Sequence, residues 1–403
     1  MRVKIKPGKA SGEITLPTSK SMAHRLLICA ALCDGASIVR GVTPCEDVLA
    51  TVDCLRALGA NIEICGDTYT VFGRDMKTVA PKKPLLCRES GSTLRFMIPI
   101  SALSGAKVTL GGAEKLLSRP LSVYETLFRE RELLLQRYGS FIFVDGPLPA
   151  GEYSLPGDVS SQFITGLLFA LPLLNSDSVI KIEPPFESRP YVDLTVSALA
   201  KFGVKVFFED NLTIKIPGAQ KYVSADVTVE ADYSAGAFID ALNVLGSDVK
   251  ALGLDEKSLQ GDRVYKEIFP KIKASFTEVD ISDCPDLAPI FFTLAAVNHG
   301  AEFVGTKRLR IKESDRAEVM ANELSKFGAD IEIHENSVKV NNTTLHSPKE
   351  ILLGHNDHRV VMSLAVLSTV FGGIIDGAEA VSKSYPSFFE DMKNAGIEVE
   401  LYD

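Results

Sequence analysis

The feature that most constrains this 403-residue chain is that it repeats itself. An apolar helix end, a turn residue and an alternating strand recur six times. They read ALCDGASIVRG at 31–41, SALSGAKVTLG at 101–111, LPLLNSDSVIKI at 171–182, ALNVLGSDVKAL at 241–252, AAVNHGAEFVG at 295–305 and LSTVFGGIIDG at 367–377. Between the turn residues Gly35, Gly105, Asp177, Gly246, Gly300 and Gly372 the steps are 70, 72, 69, 54 and 72 residues. A second phrase interleaves with the first: LRALGANIEI at 55–64, LQRYGSFIF at 135–143, LAKFGVKVFF at 199–208, LSKFGADIEI at 324–333 and MKNAGIEVEL at 392–401. A weaker copy without glycine is FPKIKASFTEV at 269–279. Each reads as a helix C-terminus, a glycine suited to the left-handed cap, and a strand of period two. Two such corners in each unit of about 67 residues make an α/β (α+β) chain of six like units. Such units are larger than ordinary solenoid repeats. They are expected to form two pseudo-threefold domains.

Composition excludes several functions. Lys and Arg number 43 against 52 Asp and Glu, a net charge of −9, which argues against nucleic-acid or membrane-surface partners. The longest apolar stretch, 163–174, is interrupted by Thr165, Gly166 and Pro172 and is too short to span a membrane. The N-terminus MRVKIKPGKASGEITLP has no apolar signal core, so a cytoplasmic protein is expected. Seven cysteines, an odd number with no CxxC pair, read as reduced and mostly buried. His355 and His358 lie three apart with no third ligand nearby, so no metal is expected.

Polar clusters stand directly before apolar helical runs. Pro17-Thr18-Ser19-Lys20-Ser21 precedes one, with Thr18 or Ser19 as cap, Lys20 and Ser21 in the first turn and Arg25 on the Ser21 face. Glu89-Ser90-Gly91-Ser92-Thr93-Leu94-Arg95 and Ser160-Ser161-Gln162 precede two more. Arg119-Pro120, Ser188-Arg189-Pro190-Tyr191 and Lys383-Ser384-Tyr385-Pro386 read as cationic helix starts. Asp286, the run Lys312-Glu313-Ser314-Asp315-Arg316 and the run His355-Asn356-Asp357-His358-Arg359 add carboxylates. Taken singly, each cluster is explained by capping and helix-dipole complementarity. Together, cations at so many helix starts in an acidic chain point to a substrate bearing phosphate and carboxylate groups. Asp286 and Glu313 then become its acids and bases.

These motifs, in this order, resemble the 5-enolpyruvylshikimate-3-phosphate synthase family. They are PTSKSMAHR at 17–25, ESGSTLRF at 89–96, SRPL at 118–121, GDVSSQF at 157–163, SRPY at 188–191, DCPDLAP at 283–289, LRIKESDR at 309–316, NDHR at 356–359 and KSYP at 383–386. The resemblance implies an inside-out α/β barrel of two domains, each of three βαβαββ units. Residues 1–17 plus 232–403 would form the phosphoenolpyruvate side, and 18–231 an inserted shikimate phosphate side. It implies enolpyruvyl transfer from phosphoenolpyruvate to the 5-hydroxyl of 3-phosphoshikimate with loss of phosphate, no cofactor, and a monomer with small-molecule partners only. Lys20, Ser21, Arg25, Ser160, Ser161, Gln162, Ser188, Tyr191, Asp286 and Lys312 would hold 3-phosphoshikimate. Lys20, Gly91, Arg119, Gln162, Arg316, Arg359 and Lys383 would hold phosphoenolpyruvate. Lys20, Asp286 and Glu313 would be catalytic, with Asp286 accepting the hydroxyl proton and Glu313 serving C3. Glu89 and Arg308 stand where many members carry Asn. Gly91 and Ser160-Ser161-Gln162 look like the glyphosate-sensitive pattern. The alternatives are the sister transferase acting on UDP-N-acetylglucosamine and a non-catalytic anion-binding scaffold. The first typically has Lys-Asn where Lys20-Ser21 stands, and a loop cysteine absent here from 105–150.

Overall fold

A computed structural model describes residues 1–402. The chain divides into two compact units. One is Thr18–Glu230; the other joins Met1–Pro17 to the chain from Ala231 onward. The second crossing falls one residue earlier than the sequence suggested, and backbone pairing explains why. Ser19 N–H donates to the Glu230 carbonyl at 2.7 Å, and Asp232 N–H donates to that of Pro17 at 2.9 Å.

The Thr18–Glu230 unit contains three four-stranded sheets of one design. Their strand orders are Asp226–Thr228, Ala36–Arg40, Thr68–Phe72, Asn61–Cys65; then Leu85–Leu86, Val108–Gly111, Phe141–Val144, Leu135–Tyr138; then Glu152–Pro156, Ser178–Glu183, Thr213–Ile216, Phe207–Phe208. In each sheet the first pair is parallel and the next two antiparallel. The other unit builds two sheets the same way. One is Thr277–Asp280, Ala301–Val304, Ser337–Asn341, Asp330–Ile333; the other is Leu352–Leu353, Gly373–Asp376, Arg2–Ile5, Val399–Tyr402.

Its third sheet is only the parallel pair Ser11–Thr15 and Asp248–Leu252. The hairpin that completes the other five is missing from it. This explains the one short step, 54 residues where the others are 69–72: a hairpin such as Asn61–Cys65 with Thr68–Phe72 is absent. It also corrects the reading of FPKIKASFTEV. The helix Tyr265–Ala274 does lead to a strand, Thr277–Asp280, but that strand opens the next sheet.

LQRYGSFIF is a second correction. It is a β-hairpin, Leu135–Tyr138 against Phe141–Val144, turned at Gly139 with φ 56°. The preceding helix, Ser122–Glu130, has already ended. The other four glycine copies turn as expected, with Gly59, Gly203, Gly328 and Gly396 all at positive φ.

Helices fill the interior of each unit. Lys20–Ala31, Gly91–Ser101 and Ser161–Ala170 are buried on nearly every face and pack on their neighbours, as do Ala288–Val297 and His358–Phe371 in the other unit. Helices that are apolar all round can only be core. The strands alternate buried and exposed residues, one face against the helices. Among the described residues no helix is long and apolar enough to cross a membrane. Six of the seven free cysteines are buried; Cys65 is exposed.

Candidate active site

In the Thr18–Glu230 unit three helices begin on a serine cap. Ser19 accepts from Met22 N–H at 3.4 Å, Ser90 from Thr93 N–H at 3.2 Å and Ser160 from Gln162 N–H at 3.3 Å. None of the three carries an acidic residue in its first turn. Helix N-termini ordinarily favour Asp or Glu there, so these leave the positive end of the dipole to another anion.

Lys20 opens the first helix, and its Nζ lies 2.9 Å from Asp47 Oδ2, both groups largely buried. Asp47 was not singled out in the sequence. Arg25 is buried. Its Nη1 donates to the Ser21 carbonyl at 2.7 Å, its Nε to Thr195 Oγ1 at 2.9 Å and its Nη2 to the Tyr191 carbonyl at 2.8 Å. Burial lowers its pKa to about 10, so it stays charged at neutral pH. These bonds join Ser21 and Arg25, one helical turn apart, to Tyr191, 166 residues beyond Arg25. Ser188, the residue before the Arg189–Lys201 helix, holds φ 57°, a left-handed conformation that turns the chain sharply into it.

A second group centres on Gln162. Its Oε1 accepts from Arg95 Nη1 at 2.5 Å and its Nε2 donates to Ser92 Oγ at 3.0 Å. A Cβ placed on Gly91 would stand 2.9 Å from Arg119 Nη1 and 3.7 Å from Gln162 Oε1. The two groups are linked through buried hydroxyls: His24 Nδ1 to Thr51 Oγ1 at 2.7 Å, Thr51 to Thr93 at 2.7 Å, and Thr93 to Ser90 Oγ at 2.8 Å. Burial first, then Lys20 and Arg25, hold the His24 pKa well below its ordinary value, so the ring is neutral.

The other unit gathers charge around Asp286. Its Oδ1 lies 3.3 Å from Lys312 Nζ and 2.8 Å from Arg316 Nη1, and its Oδ2 lies 3.0 Å from Arg359 Nη2. Arg316 also reaches Glu313 Oε2 at 2.7 Å and Asp357 Oδ2 at 2.9 Å, and Ser314 Oγ donates to Asp357 Oδ2 at 3.0 Å. Burial alone would raise the Asp286 pKa. Arg359, Lys312 and Arg316 outweigh it and hold the carboxyl well below its ordinary value. For Arg316, burial opposes the charge, but Asp357, Glu313 and Asp286 together secure it. Burial lowers the Lys312 pKa.

Both carboxylates turn to cations. Asp286 sits in the 3-10 turn Pro285–Leu287 and accepts from Lys312, Arg316 and Arg359. The cap of Arg316–Ser325 is Asp315, which accepts from Glu318 N–H, while Glu313 turns to Arg316. Asp357 caps His358–Phe371 through Arg359 N–H at 3.0 Å. Lys383 is not at a helix start as the sequence suggested. It ends the 3-10 segment Ala378–Lys383, and its Nζ donates to the Asn356 carbonyl at 2.7 Å. The departure Arg308 is buried and donates to the Ser282 carbonyl. Among the described residues no cluster of three or more His, Cys, Asp or Glu could hold a metal ion.

One residue of this region escaped sequence reasoning. Asp262, in the turn Gly261–Val264, is 3% exposed. It accepts from the Ser234 hydroxyl through Oδ2, while Oδ1 is buried without a hydrogen-bond partner. Burial pushes its pKa up to about 6; Asp286 and Asp232 act in the same direction, and Arg359 and Ser234 oppose them. A carboxyl raised above its unfolded value of 3.8 loses its contribution to stability as pH rises through 6. Asp262→Asn removes the ionisation cost. It should stabilise the chain by about 3 kcal/mol at pH 8, and the gain should shrink steadily toward pH 4. Urea unfolding at both pH values checks this. A loss of stability at pH 8 that disappears toward pH 4 would mean that the attraction of the ionised carboxylate to Arg359 dominates instead.

Comparison with known proteins identifies relatives along nearly the whole chain. Residues 5–392 match the family model for EPSP synthase (3-phosphoshikimate 1-carboxyvinyltransferase). The 3-phosphoshikimate 1-carboxyvinyltransferase of Clostridium kluyveri is 40% identical over 425 residues, covering 99% of this chain and 98% of its own. That of Clostridium novyi is 39% identical, covering 98% and 97%. The EPSP synthase structure from Acinetobacter baumannii superposes with a TM-score of 0.81 at 25% identity, over 99% of this chain and all of that one. Matched along almost its whole length by model, sequence and fold alike, the chain belongs to the EPSP synthase (3-phosphoshikimate 1-carboxyvinyltransferase) family.

Proposed function

We propose that the protein transfers the enolpyruvyl group of phosphoenolpyruvate to the 5-hydroxyl of 3-phosphoshikimate and releases inorganic phosphate, a step of the shikimate pathway toward aromatic amino acids. The observation that carries this reading is Asp286, an ionised carboxylate held by Lys312, Arg316 and Arg359. The hydroxyl oxygen adds to C2 of phosphoenolpyruvate while C3 gains a proton. The tetrahedral adduct then loses phosphate and a C3 proton. C–O rather than P–O breaks, so the phosphoryl-transfer machinery of Mg²⁺ enzymes is not called on.

In the Thr18–Glu230 unit, Lys20, Ser21, Arg25, Ser160, Ser161, Gln162, Ser188 and Tyr191 serve 3-phosphoshikimate. Gly91, Arg119, Gln162 and Lys20 serve an anionic group of phosphoenolpyruvate. In the other unit, Arg316, Arg359 and Lys383 take phosphoenolpyruvate, and Lys312 and Asp286 take 3-phosphoshikimate. A carboxylate with so low a pKa is a poor base at rest. An incoming substrate anion competes for the guanidinium groups of Arg316 and Arg359. As they turn to it, Asp286 loses part of its cation pairing and gains proton affinity. Glu313, on the same Arg316, serves C3.

Gly91 supports the phosphoenolpyruvate assignment. Its added Cβ would meet the tip of a flexible arginine, not backbone, so Gly91→Ala should fold normally. It should displace Arg119 and raise the KM for phosphoenolpyruvate by about tenfold or more, the scale of one charged hydrogen bond. Steady-state kinetics in each substrate checks this; an unchanged KM would remove Arg119 from the site. The same crowding should weaken inhibition by glyphosate, to which the unmodified chain is expected to be sensitive.

Phosphate release tests the function directly: it is expected with phosphoenolpyruvate plus 3-phosphoshikimate. Release with UDP-N-acetylglucosamine instead would assign the sister activity. Release with neither acceptor would leave an anion-binding scaffold. The reading extends to a cytoplasmic monomer, and light scattering tests its mass.

A further inference from the structure

The helix that begins at Arg316 ends on a buried acid with no part in the chemistry above. Glu323 is 2% exposed and sits in the last turn of Arg316–Ser325. Three groups converge on it. Oε2 accepts from Lys326 Nζ at 2.8 Å and from the backbone N–H of Leu353 at 2.8 Å, and Oε1 lies 3.0 Å from His355 Nε2. Two of the three belong to the segment that leads into the His358–Phe371 helix.

That segment is unusual. His355 and Asn356, neither of them glycine, stand in succession at φ 50° and 55°. The left-handed region is one that side chains with a Cβ seldom adopt, and such residues persist only where the surroundings hold them. From this turn the chain enters the His358–Phe371 helix, whose first turn carries Arg359. The Asn356 carbonyl accepts from Lys383 Nζ at 2.7 Å, and Asp357 both caps Arg359 N–H and receives Arg316 Nε at 2.9 Å. A buried carboxylate outside the chemistry, bonded to the side chain of the first strained residue and to the backbone two residues before it, is placed to keep the turn wound.

We propose that Glu323 is a positioning residue for phosphoenolpyruvate. By holding Leu353 N–H and the His355 ring it fixes the left-handed turn that presents the Asn356 carbonyl to Lys383 and sets Asp357 against Arg316 and Arg359. It touches no substrate. This rests on the proposed function of Arg316, Arg359 and Lys383.

The test is steady-state kinetics on the full chain with Glu323→Ala, Glu323→Gln and His355→Ala. Glu323→Ala should raise the KM for phosphoenolpyruvate by about tenfold and leave that for 3-phosphoshikimate within about twofold. Glu323→Gln keeps an acceptor for Leu353 N–H and should recover most of the loss. His355→Ala leaves the buried Glu323 bonded to Leu353 and Lys326, so it reports even where the Glu323 variants fold poorly; it should show the same selectivity at smaller size. A merely structural role would lower the melting temperature and shift both KM values together, or neither. Either result, or a glutamine no better than alanine, overturns the proposal. An unmodified chain that releases no phosphate overturns the functional reading and this proposal together. Turnover without selectivity in the variants overturns this proposal alone.

Discussion

Asp286→Asn is expected to lower kcat by about a hundredfold to ten-thousandfold, the usual worth of a positioned general base. The substitution keeps the shape and removes both the base and the counterion of Lys312, Arg316 and Arg359. Binding of 3-phosphoshikimate, measured by calorimetry, should persist, because the Ser21, Arg25 and Gln162 groups lie in the other compact unit with their own hydrogen bonds. Turnover within a fewfold of the unmodified chain would remove the role assigned to Asp286. Glu313→Gln is the companion measurement: it should suppress solvent deuterium exchange into C3 of phosphoenolpyruvate. Exchange blocked by Asp286→Asn and not by Glu313→Gln would swap the two roles.

Arg316→Met should cost about 3–5 kcal/mol of stability, the scale for breaking a buried ion pair from one side. Arg316 is 1% exposed and touches Asp286, Glu313 and Asp357, the last fully buried. Methionine fills much of the volume and leaves three carboxylates without their common partner. The pH dependence gives a signature. The Asp286 pKa lies well below its ordinary value of 3.8, so its contribution to stability is present above pH 3.8 and is lost as pH falls through the folded pKa. The gap between variant and parent should therefore be wide at pH 7 and close only as pH falls from 3.8 toward the folded pKa. Urea midpoints across that range check it. A gap independent of pH would mean that lost packing, rather than stranded charge, sets the cost. Arg316→Lys should fall between, keeping a charge but losing the fork that serves three acids.

What is legible in the sequence is what is local. A serine followed by an apolar run identifies a helix start, and Ser19, Ser90 and Ser160 are all caps. Glycine at a helix end identifies a corner, as Gly59, Gly203, Gly328 and Gly396 do. The hairpin at 135–143 reads as a helix end because Leu, Gln and Arg are good helix formers. Pairing with Phe141–Val144, and through it with Val108–Gly111, decides the matter instead. Partners distant in the chain leave no trace. Asp47 lies 27 residues from Lys20, Glu323 lies 32 from His355, and nothing in either stretch announces the contact. Asp262 is hidden for a related reason: burial makes it unusual, and burial of a single acid in a polar turn has no signature in one sequence. Lys383 belongs to a different element from the one its sequence suggests, although its residue type marks it for an anion.

The strand Arg2–Ile5 lies between Gly373–Asp376 and Val399–Tyr402 in its sheet. During synthesis it leaves the ribosome well before either partner, since Gly373 follows Arg2 by 371 residues. At roughly 5–20 residues per second the wait is on the order of half a minute. The Thr18–Glu230 unit can close on itself in that interval, since its own three sheets need nothing beyond Thr228. The N-terminal strand cannot. It must remain unpaired, with Val3 and Ile5 uncovered, until Gly373–Asp376 and Val399–Tyr402 arrive to enclose it.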